Sequence, residues 1–313
     1  MTDSSVRATF ALVILNWNGA ADTIECLTSL RRSTVPVHSI VVDNGSAESD
    51  VTRIRTSGLA DSLIPTGTNL GYAEGNNVGL RFALEQAFPL IAVLNNDTVV
   101  HADSFSCLLE HLVVDEPRAL SPDIRYFQEP SRSWFEGGVL DKGWPRHLQP
   151  DEIPAREGVL RPSDCLSGCC IAARRETWER VGLFDPGYFL IFEDSDWSLR
   201  ARRRGVKLYV ATESVIKHKV SRSFESGPPS LLGNFYFVRN GLLFEARYAR
   251  RYLPAFVLRW LVRPSVSALL GRQSGRAMFF RWLGALAFVI RAEGRAPGFL
   301  ESSAARLTST TST

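Results

Sequence analysis

The chain of 313 residues lacks the features of a secreted protein. Its first residues, MTDSSVRATF, hold no apolar run behind a basic cluster, so we expect no signal peptide. The cysteines are odd in number and show no framework spacing, and the run CLSGCC (165–170) matches no usual zinc pattern. We therefore expect small buried thiols in a reducing, cytoplasmic setting.

Apolar runs of membrane-spanning length are also missing. Two apolar segments, 253–270 and 277–290, are interrupted by arginines, and Pro264 further breaks the first of them. A spanning helix needs about 20 consecutive, mostly apolar residues. Basic helices that carry Trp and Phe can instead lie in the interface of an anionic membrane. The alternative is a helical subdomain whose apolar face packs on the rest of the chain.

Charge is unevenly distributed along the chain. Residues 239–295 contain no lysine, and eleven arginines against two acids give them a net charge of +9. Residues 1–238 carry a net charge of −6, so an acidic body precedes a basic, aromatic-rich end.

We predict a catalytic domain over 1–228, a helical, basic, membrane-associating extension over 229–300 and a disordered tail over 301–313. An anionic membrane surface is an expected partner, and nucleic acid is not.

Strand and helix patterns alternate, which indicates an α/β fold. Near-continuous apolar runs such as FALVILNWN (10–18) are typical of parallel strands that are buried on both faces. Alternation of such runs with helices predicts a parallel sheet covered by helices. We predict strands at 10–18, 39–46, 62–67, 89–100 and 206–212, helices at 22–33, 73–87, 103–115, 175–182 and 193–205, an irregular stretch at 120–165, and only helices from about 229.

Polar residues follow the predicted strands. Asn16 and Asn18 end the first strand, Asp43 ends the second, and the triplet Asn-Asn-Asp (95–97) ends the fourth. In open α/β sheets, ligands bind beyond the carboxyl ends of the strands. The sequence therefore predicts a nucleotide site at this edge. The glycines at 71, 75 and 79 are four residues apart, which lets a helix lie close to the sheet or to a ligand.

The segment IFEDSDWSLR (191–200) places three carboxylates within four positions and flanks them with a Phe and a Trp. All three acids would complement the dipole at the start of a helix, and Asp196 would pair with Arg200 four residues later. That explanation fits Asp196 but does not require the whole cluster. A carboxyl group that is shielded by aromatic rings and like charges suits general base catalysis, because both raise a carboxyl pKa.

Six segments in this order resemble glycosyltransferase family 2, and more closely its rhamnosyltransferase branch, over residues 8–245. The resemblance implies a GT-A fold, which is a Rossmann-like α/β nucleotide-sugar-binding domain, here with a C-terminal helical extension. It also implies a nucleotide-sugar donor, a divalent metal and inversion at the anomeric carbon in one displacement. The segments are VILNWNG, IVVDNGSAESD, NLGYAEGNNVGL, LNNDTVV, SGCCIAARRETWERVGLFDPGYFLIFEDSDWSLRARRRG and VIKH.

The resemblance also implies roles for individual residues toward the donor. Asp43 would accept the N3–H of uracil or thymine, although Asp-Asn-Gly is also a common turn sequence. The region of Asn69 would contact the base and ribose, and the loop at Gly168 would pass beneath the donor sugar. The complete set of predicted donor-binding residues is Asn16, Asn18, Asp43, Asn69, Gly71, Asn95, Asn96 and Gly168.

The metal ligands implied by the resemblance are Asp97 and His218. The triplet at 95–97 stands where the family usually has Asp-x-Asp, so only one carboxylate remains and metal affinity is an open question. An amide oxygen is a weaker ligand for a hard cation than a carboxylate. A single histidine is more often structural, but its match to the family's ligand position favours Mg²⁺ or Mn²⁺ at this site.

For catalysis, the resemblance assigns Asp194 as the base. We predict that Glu193 orients the acceptor, that Asp196 is mainly structural, and that Trp197 forms an apolar wall or stacks on a sugar. Arg239 would contact the acceptor diphosphate, with an ordinary surface arginine as the alternative.

We therefore predict an inverting transferase that moves a hexose to a lipid-linked or growing cell-surface glycan at the cytoplasmic face of the membrane. L-Rhamnose from dTDP-rhamnose is the favoured donor and a polyprenyl-diphosphate-linked or oligosaccharide acceptor the favoured partner. UDP-galactose, UDP-N-acetylglucosamine and GDP-mannose stay open as donors. Two alternatives are a nucleotide-sugar-binding protein without turnover and a membrane-interaction scaffold.

Overall fold

The apolar runs of the N-terminal half form one side of a ten-stranded sheet in the computed structural model, which describes residues 9–153, 158–220 and 230–309. Two further strands form a separate pair. The strands are β1 (Phe10–Asn16), β2 (Val37–Asp43), β3 (Ser62–Pro65), β4 (Leu90–Asn95), β5 (Thr98–Val100), β6 (Arg118–Tyr126), β7 (Ser133–Phe135), β8 (Gly138–Asp141), β9 (Trp144–His147), β10 (Leu160–Pro162), β11 (Cys170–Arg174) and β12 (Lys207–His218).

Helices alternate with the strands and then replace them. The helices are α1 (Ala20–Leu30), α2 (Glu48–Ser57), α3 (Gly71–Glu85), α4 (Ser104–Leu112), α5 (Arg175–Val181), α6 (Glu193–Arg203), α7 (Leu231–Tyr248), α8 (Leu253–Val257), α9 (Arg263–Leu269), α10 (Gly275–Val289) and α11 (Gly298–Ser309), with a π-helical turn, Leu258–Val262, between α8 and α9. A sheet unit holds residues 9–140, 145–185 and 194–220, and a helical unit holds 141–144, 186–193 and 230–309.

The order of strands in the main sheet is β10-β12-β6-β11-β4-β1-β2-β3, so β1 is an interior strand with neighbours on both sides. β1 pairs in parallel with β2 and β4, which explains why its sequence is a continuous apolar run. The pairing aligns Asn16 with Asp43 and Leu15 with Asn95. Three of the predicted polar residues therefore lie at one edge of the sheet, and the predicted mixed α/β architecture is confirmed.

The glycines of α3 allow this helix to lie directly on the sheet. A methyl group at Gly79 would overlap Val13 and Val42, and one at Gly75 would come within 2.6 Å of Leu15. Gly71, the first residue of α3, has a φ of 83°, a left-handed conformation that glycine adopts at little cost. The prediction of close helix packing from the four-residue spacing is confirmed for Gly75 and Gly79.

The predicted strand at 89–100 is broken in the structure. The chain turns after Asn95, and β5 pairs with β12 in antiparallel fashion, with Thr98 opposite His218. The stretch at 120–165, expected to be irregular, contains most of β6 and all of β7 to β10. Short paired strands of this kind lack the long apolar runs that identify β1 and β4, which is why the sequence gives them no clear pattern.

The helical unit has its own apolar core. Two clusters form it, one around Phe235 and Phe280 and one around Val238 and Phe256. Of the tail expected to be disordered over 301–313, residues 301–309 belong to helix α11, which packs Leu300 and Ala304 in the first cluster, and residues 310–313 lie outside the described ranges. None of the helices formed by the described residues is long and apolar enough to cross a bilayer.

Candidate active site

The carboxyl end of β1 is fixed by a fully buried amide. The Asn16 Nδ2 atom lies 3.0 Å from Asp43 Oδ1, 2.9 Å from Asp50 Oδ2 and 3.1 Å from Ser46 Oγ. The Asn16 Oδ1 atom accepts a hydrogen bond from the Thr23 hydroxyl at 2.8 Å. One side chain therefore ties β1 to β2, α1 and α2. Asn16 has no exposed surface, so the predicted direct contact with the donor is corrected to a structural role at the end of β1.

The loops after β1 and β2 carry the other predicted base-binding residues. Asp43 is buried, and its second carboxylate oxygen accepts from the Ser46 N–H at 3.2 Å. Asn18 is exposed, with a φ of 52°, and its Oδ1 accepts from the Ala47 N–H. Trp17, which directly precedes Asn18, exposes 58% of its surface at the same edge of the sheet. An exposed indole beside polar groups provides a flat apolar face for a planar ligand.

Asn44 organises the loop that leads into α3. Its Nδ2 donates to Asn69 Oδ1 and to the Gly71 carbonyl, both at 3.1 Å, and its Oδ1 accepts from the Leu70 N–H. Asn69 Oδ1 also accepts from the Gly71 N–H at 2.8 Å. The predicted residues Asn69 and Gly71 are therefore held against Asn44, the residue that follows Asp43 at the end of β2.

A chain of contacts joins the predicted base to the end of β4. The Gly168 N–H donates to Asp194 Oδ2 at 2.9 Å, and the Tyr72 hydroxyl lies 2.6 Å from the Gly168 carbonyl. The same hydroxyl is 3.2 Å from Asn95 Oδ1, and Asn95 Nδ2 is 3.5 Å from His218 Nε2. Four residues predicted from the sequence thus lie in one continuous network, with Tyr72 as the link between them.

Asp97 and His218 form a pair of potential metal ligands. Asp97 Oδ1 is 3.1 Å from His218 Nε2, and the His218 Nδ1 atom is buried without a hydrogen-bond partner among the described residues. One carboxylate and one imidazole suit Mn²⁺ or Mg²⁺ when diphosphate oxygens complete the shell. Within the described ranges, no group of three or more His, Cys, Asp and Glu side chains could hold a metal alone. The pair therefore fits a metal that is shared with a donor diphosphate.

One aromatic neighbour of His218, Trp134, was not predicted from the sequence, and neither was His147, whose ring also meets the Trp134 ring. The Trp134 ring meets the His218 ring edge-on at 4.8 Å and the His147 ring at 4.9 Å, so it lies against both imidazoles. His147 Nδ1 is 3.1 Å from the Trp134 carbonyl oxygen. Burial lowers the pKa of His147, and the Trp134 carbonyl and the negative charge of Asp194 oppose that change. His147 therefore lies within electrostatic reach of the predicted base.

The acids at the start of α6 have different environments. Asp196 is buried and its Oδ2 is 2.8 Å from Arg200 Nε, which confirms the predicted pairing four residues apart. Asp194 is only half-buried, and its Oδ1 accepts from the Ser195 N–H at 2.6 Å. Glu193 is buried, and its role toward the acceptor stays a prediction. Only Asp194 combines partial access with fixed orientation.

The predicted contact of Trp197 with the acceptor is wrong. Trp197 has no exposed surface, its Nε1 donates to the Gly182 carbonyl at 2.9 Å, and its ring lies 4.7 Å from the Trp178 ring. It is therefore part of the core beneath α6. A tryptophan in the core and one that faces a sugar look alike in a sequence, since both are aromatic residues in an amphipathic helix.

Two other predicted residues are engaged elsewhere. Asn96 Nδ2 donates to the Thr23 hydroxyl at 3.0 Å, which directs the amide toward α1. Arg239 exposes 2% of its surface in the helical unit, and its guanidinium donates to the carbonyl oxygens of Tyr188 and Gly294. The prediction that Arg239 meets the acceptor diphosphate is therefore corrected to a structural role within the helical unit.

Comparison with known proteins gives a consistent assignment. The glycosyltransferase like family 2 matches residues 7–227. The chain is 29% identical over 219 residues to the N-acetylglucosaminyl-diphospho-decaprenol L-rhamnosyltransferase of Mycobacterium tuberculosis, which covers 62% of this chain and 70% of that protein. It is 23% identical over 163 residues to the dTDP-rhamnosyl transferase RfbF of Shigella flexneri, which covers 50% of this chain and 52% of that protein.

Solved structures agree on the fold. GalNAc-T7 with UDP, GalNAc and Mn²⁺ superposes with a TM-score of 0.60 at 17% identity, over 88% of this chain and 55% of that one. The mannosyltransferase PcManGT from Pyrobaculum calidifontis, in complex with GDP-Man and Mn²⁺, gives a TM-score of 0.57 at 15% identity, over 92% of this chain and 89% of that one. At these identities the likeness concerns the fold alone, and the predicted GT-A fold is confirmed.

Replacing Asn16 by Asp should destabilise the protein. The substitution removes a buried donor and puts a third carboxylate beside Asp43 and Asp50, so we expect unfolding to become easier by about 2 to 4 kcal/mol. Urea unfolding at neutral pH measures this change. The control, Asn18→Asp, keeps its acceptor oxygen at an exposed position and should change stability by less than about 0.5 kcal/mol. Equal urea midpoints for the two variants would show that the buried amide of Asn16 does not stabilise the fold.

Proposed function

This chain belongs to glycosyltransferase family 2, and from that premise we propose that it transfers L-rhamnose from dTDP-rhamnose to a lipid-linked glycan acceptor. It is a nucleotide-sugar-dependent transferase, as its family and relatives are. The observation that carries the proposal is the network from Asp194 through Gly168, Tyr72 and Asn95 to His218. This network would hold a base for the acceptor and ligands for a donor diphosphate in one arrangement.

In the proposed reaction, Asp194 is the general base. The acceptor hydroxyl oxygen attacks the anomeric carbon, the bond from that carbon to the diphosphate oxygen breaks, and the hydroxyl proton passes to Asp194. The anomeric centre is inverted and a nucleoside diphosphate is released. Each carboxylate oxygen can accept two hydrogen bonds, so Oδ2 can take the proton while the Gly168 N–H still holds it in place.

Asp97 and His218 would hold a divalent metal, Mg²⁺ or Mn²⁺, together with the donor diphosphate. When bound, this cation would supply the positive charge that neutralises the leaving group. The imidazole slightly favours Mn²⁺ over Mg²⁺. Trp134 fixes the ring of His218 by edge-on packing, a role that a hydrogen bond to the second nitrogen often has in metal sites.

The nucleotide would lie at the carboxyl ends of β1 and β2. We assign Trp17 to the face of the base, because its indole is exposed there, and Asp43 to the N3–H of thymine. Asn69 and Gly71 would line the ribose side. The names of two relatives, an L-rhamnosyltransferase and a dTDP-rhamnosyl transferase, support L-rhamnose and dTDP over the other donors.

We further propose that the acceptor is a polyprenyl-diphosphate-linked sugar and that the protein works at the inner face of the cell membrane. One relative, by its name, acts on a diphospho-decaprenol-linked sugar. The helical unit exposes two apolar stripes at helical spacing, and arginines accompany them, as expected for an interfacial anchor. One stripe lies along α10 and the other on the turn before α9 and on α9 itself: Phe279, Trp282, Leu286 and Val289, then Leu258, Val262, Val266 and Leu269.

A donor panel tests the proposed reaction. Four parallel reactions each contain the protein, Mn²⁺, a synthetic lipid diphosphate-sugar and one donor: dTDP-rhamnose, UDP-galactose, UDP-N-acetylglucosamine or GDP-mannose. Mass spectrometry identifies the products. We expect release of dTDP and addition of one deoxyhexose. Transfer from another donor would contradict the rhamnose assignment. Donor binding without any transfer would support a binding protein, which the single carboxylate of the triplet at 95–97 favours.

Replacing Asp194 by Asn should leave donor binding nearly intact and lower turnover by about a hundredfold or more, since the amide cannot accept the proton. Asp196→Asn is the matched control on the same helix. It breaks the ion pair with Arg200, so it should lower thermal stability while turnover stays near that of the wild type at low temperature. Normal turnover in Asp194→Asn would exclude this carboxylate as the base.

The metal assignment predicts weaker Mn²⁺ binding in His218→Gln and in Asp97→Asn. Each variant loses one of two protein ligands, so we expect an increase in Kd of about tenfold or more in the presence of dTDP. Electron paramagnetic resonance of free Mn²⁺ measures this Kd without turnover. His101→Gln changes an exposed histidine and serves as the control. If all three variants bind Mn²⁺ as tightly as the wild type does, neither His218 nor Asp97 is a metal ligand.

A further inference from the structure

A cavity of about 360 Å³ lies within the helical unit, between α7 and the end of α10. Its walls combine basic and apolar side chains. From α7 come Arg239, Leu243 and Arg247, and from the end of α10 and the residues after it come Phe288, Val289, Arg291, Ala292 and Glu293.

The lining of this cavity carries an excess of positive charge. Three arginines and one acid line it, and that acid, Glu293, lies 4.0 Å from Arg247. Arg239 is almost fully buried, yet its described hydrogen bonds go to neutral groups, namely backbone carbonyls and the Asn240 amide oxygen. The Arg239 guanidinium is held by these groups, so Arg247 and Arg291 are the arginines of the lining that would meet an anionic ligand.

The edge of the same cavity is apolar and open to solvent. Val289 exposes 72% of its surface and the adjacent Ile290 exposes 66%. Val289 also ends the stripe along α10 that begins at Phe279 and continues through Trp282 and Leu286. Apolar side chains at such spacing form one continuous face of a helix. The cavity therefore lies where an exposed apolar face meets a group of arginines.

We propose that this cavity binds the phosphate headgroup of an anionic membrane phospholipid, with the stripe of α10 in contact with the acyl chains. A phospholipid is the ligand that carries both a phosphate for the arginines and a hydrocarbon chain for the adjoining stripe. Free phosphate would need no apolar edge, and nucleic acid would need a basic track without one. The proposal rests on the membrane location proposed above and adds a specific lipid site to it.

Guanidinium groups bind phosphate in a two-pronged geometry that an ammonium group cannot reproduce. A charge-conserving double variant, Arg247→Lys with Arg291→Lys, therefore separates a built site from general surface charge. The control is Arg272→Lys with Arg276→Lys, which changes two exposed arginines outside the cavity. Circular dichroism and thermal unfolding of both double variants verify that they fold.

The experiment measures binding of the full chain to phosphatidylcholine vesicles with and without phosphatidylglycerol, by flotation at fixed salt. We expect the cavity variant to bind the anionic vesicles about tenfold more weakly than wild type and the control pair to bind them normally. Wild type should also prefer phosphatidylglycerol to a fatty acid at equal surface charge. This comparison tests the site even if the cavity variant does not fold.

Three outcomes would overturn the lipid site. They are equal binding by the cavity variant and wild type, no preference for phosphate over carboxylate at equal charge, and binding of inorganic phosphate with no preference among vesicles. None of these outcomes depends on turnover. Failure of the proposed transferase would instead be seen as absence of donor cleavage in the mass spectrometry panel, so the two failures are distinguishable.

Discussion

The arrangement of the proposed donor site depends on the buried amide of Asn16. It lies within hydrogen-bonding distance of two carboxylates and a hydroxyl and accepts from a second hydroxyl, and it thereby joins β1, β2, α1 and α2 at one point. Carboxylates so close together would repel each other without a shared donor. Because the amide sits at the last residue of β1, the loops that carry Trp17 and Asp43 begin from fixed positions. If the end of β1 were flexible, Trp17 and Asp43 would occupy variable positions, and the surface proposed to bind a nucleotide would not be preorganised.

The arrangement of the proposed catalytic residues depends on a second feature, the turn that ends β4. That turn sends the chain into β5, which pairs with the end of β12 and brings Asp97 next to His218. Tyr72 then connects the end of β4 to the Gly168 loop, and the loop connects to Asp194. A sheet edge, a loop and the start of a helix are thus joined by hydrogen bonds, so the distance between the proposed base and the proposed ligand pair is set by backbone geometry.

Much of the α/β architecture was predictable, because buried parallel strands leave continuous apolar runs and α3 leaves a regular series of glycines. The network around Asp194 was predictable only in part. Tyr72 gave no signal, since its partners lie 23 and 96 residues away in the chain. The predicted acceptor contacts of Trp197 and Arg239 were wrong for a related reason. Whether an aromatic ring or a guanidinium faces a ligand or the core depends on distant segments, such as the carbonyls at 188 and 294 that hold Arg239.

The exposed stripe of α10 also determines how the protein behaves in bulk water. Phe279, Trp282, Leu286 and Val289 form an apolar surface that nothing in the described chain covers. Such a surface attracts any similar one, a second copy of the same stripe included. Solubility and monomeric behaviour should therefore depend on protein concentration, and mild detergents or lipid nanodiscs should disperse the protein by covering the stripe. The same helix face thus determines both how the protein is handled in the laboratory and how it would contact the membrane surface at which we propose that it works.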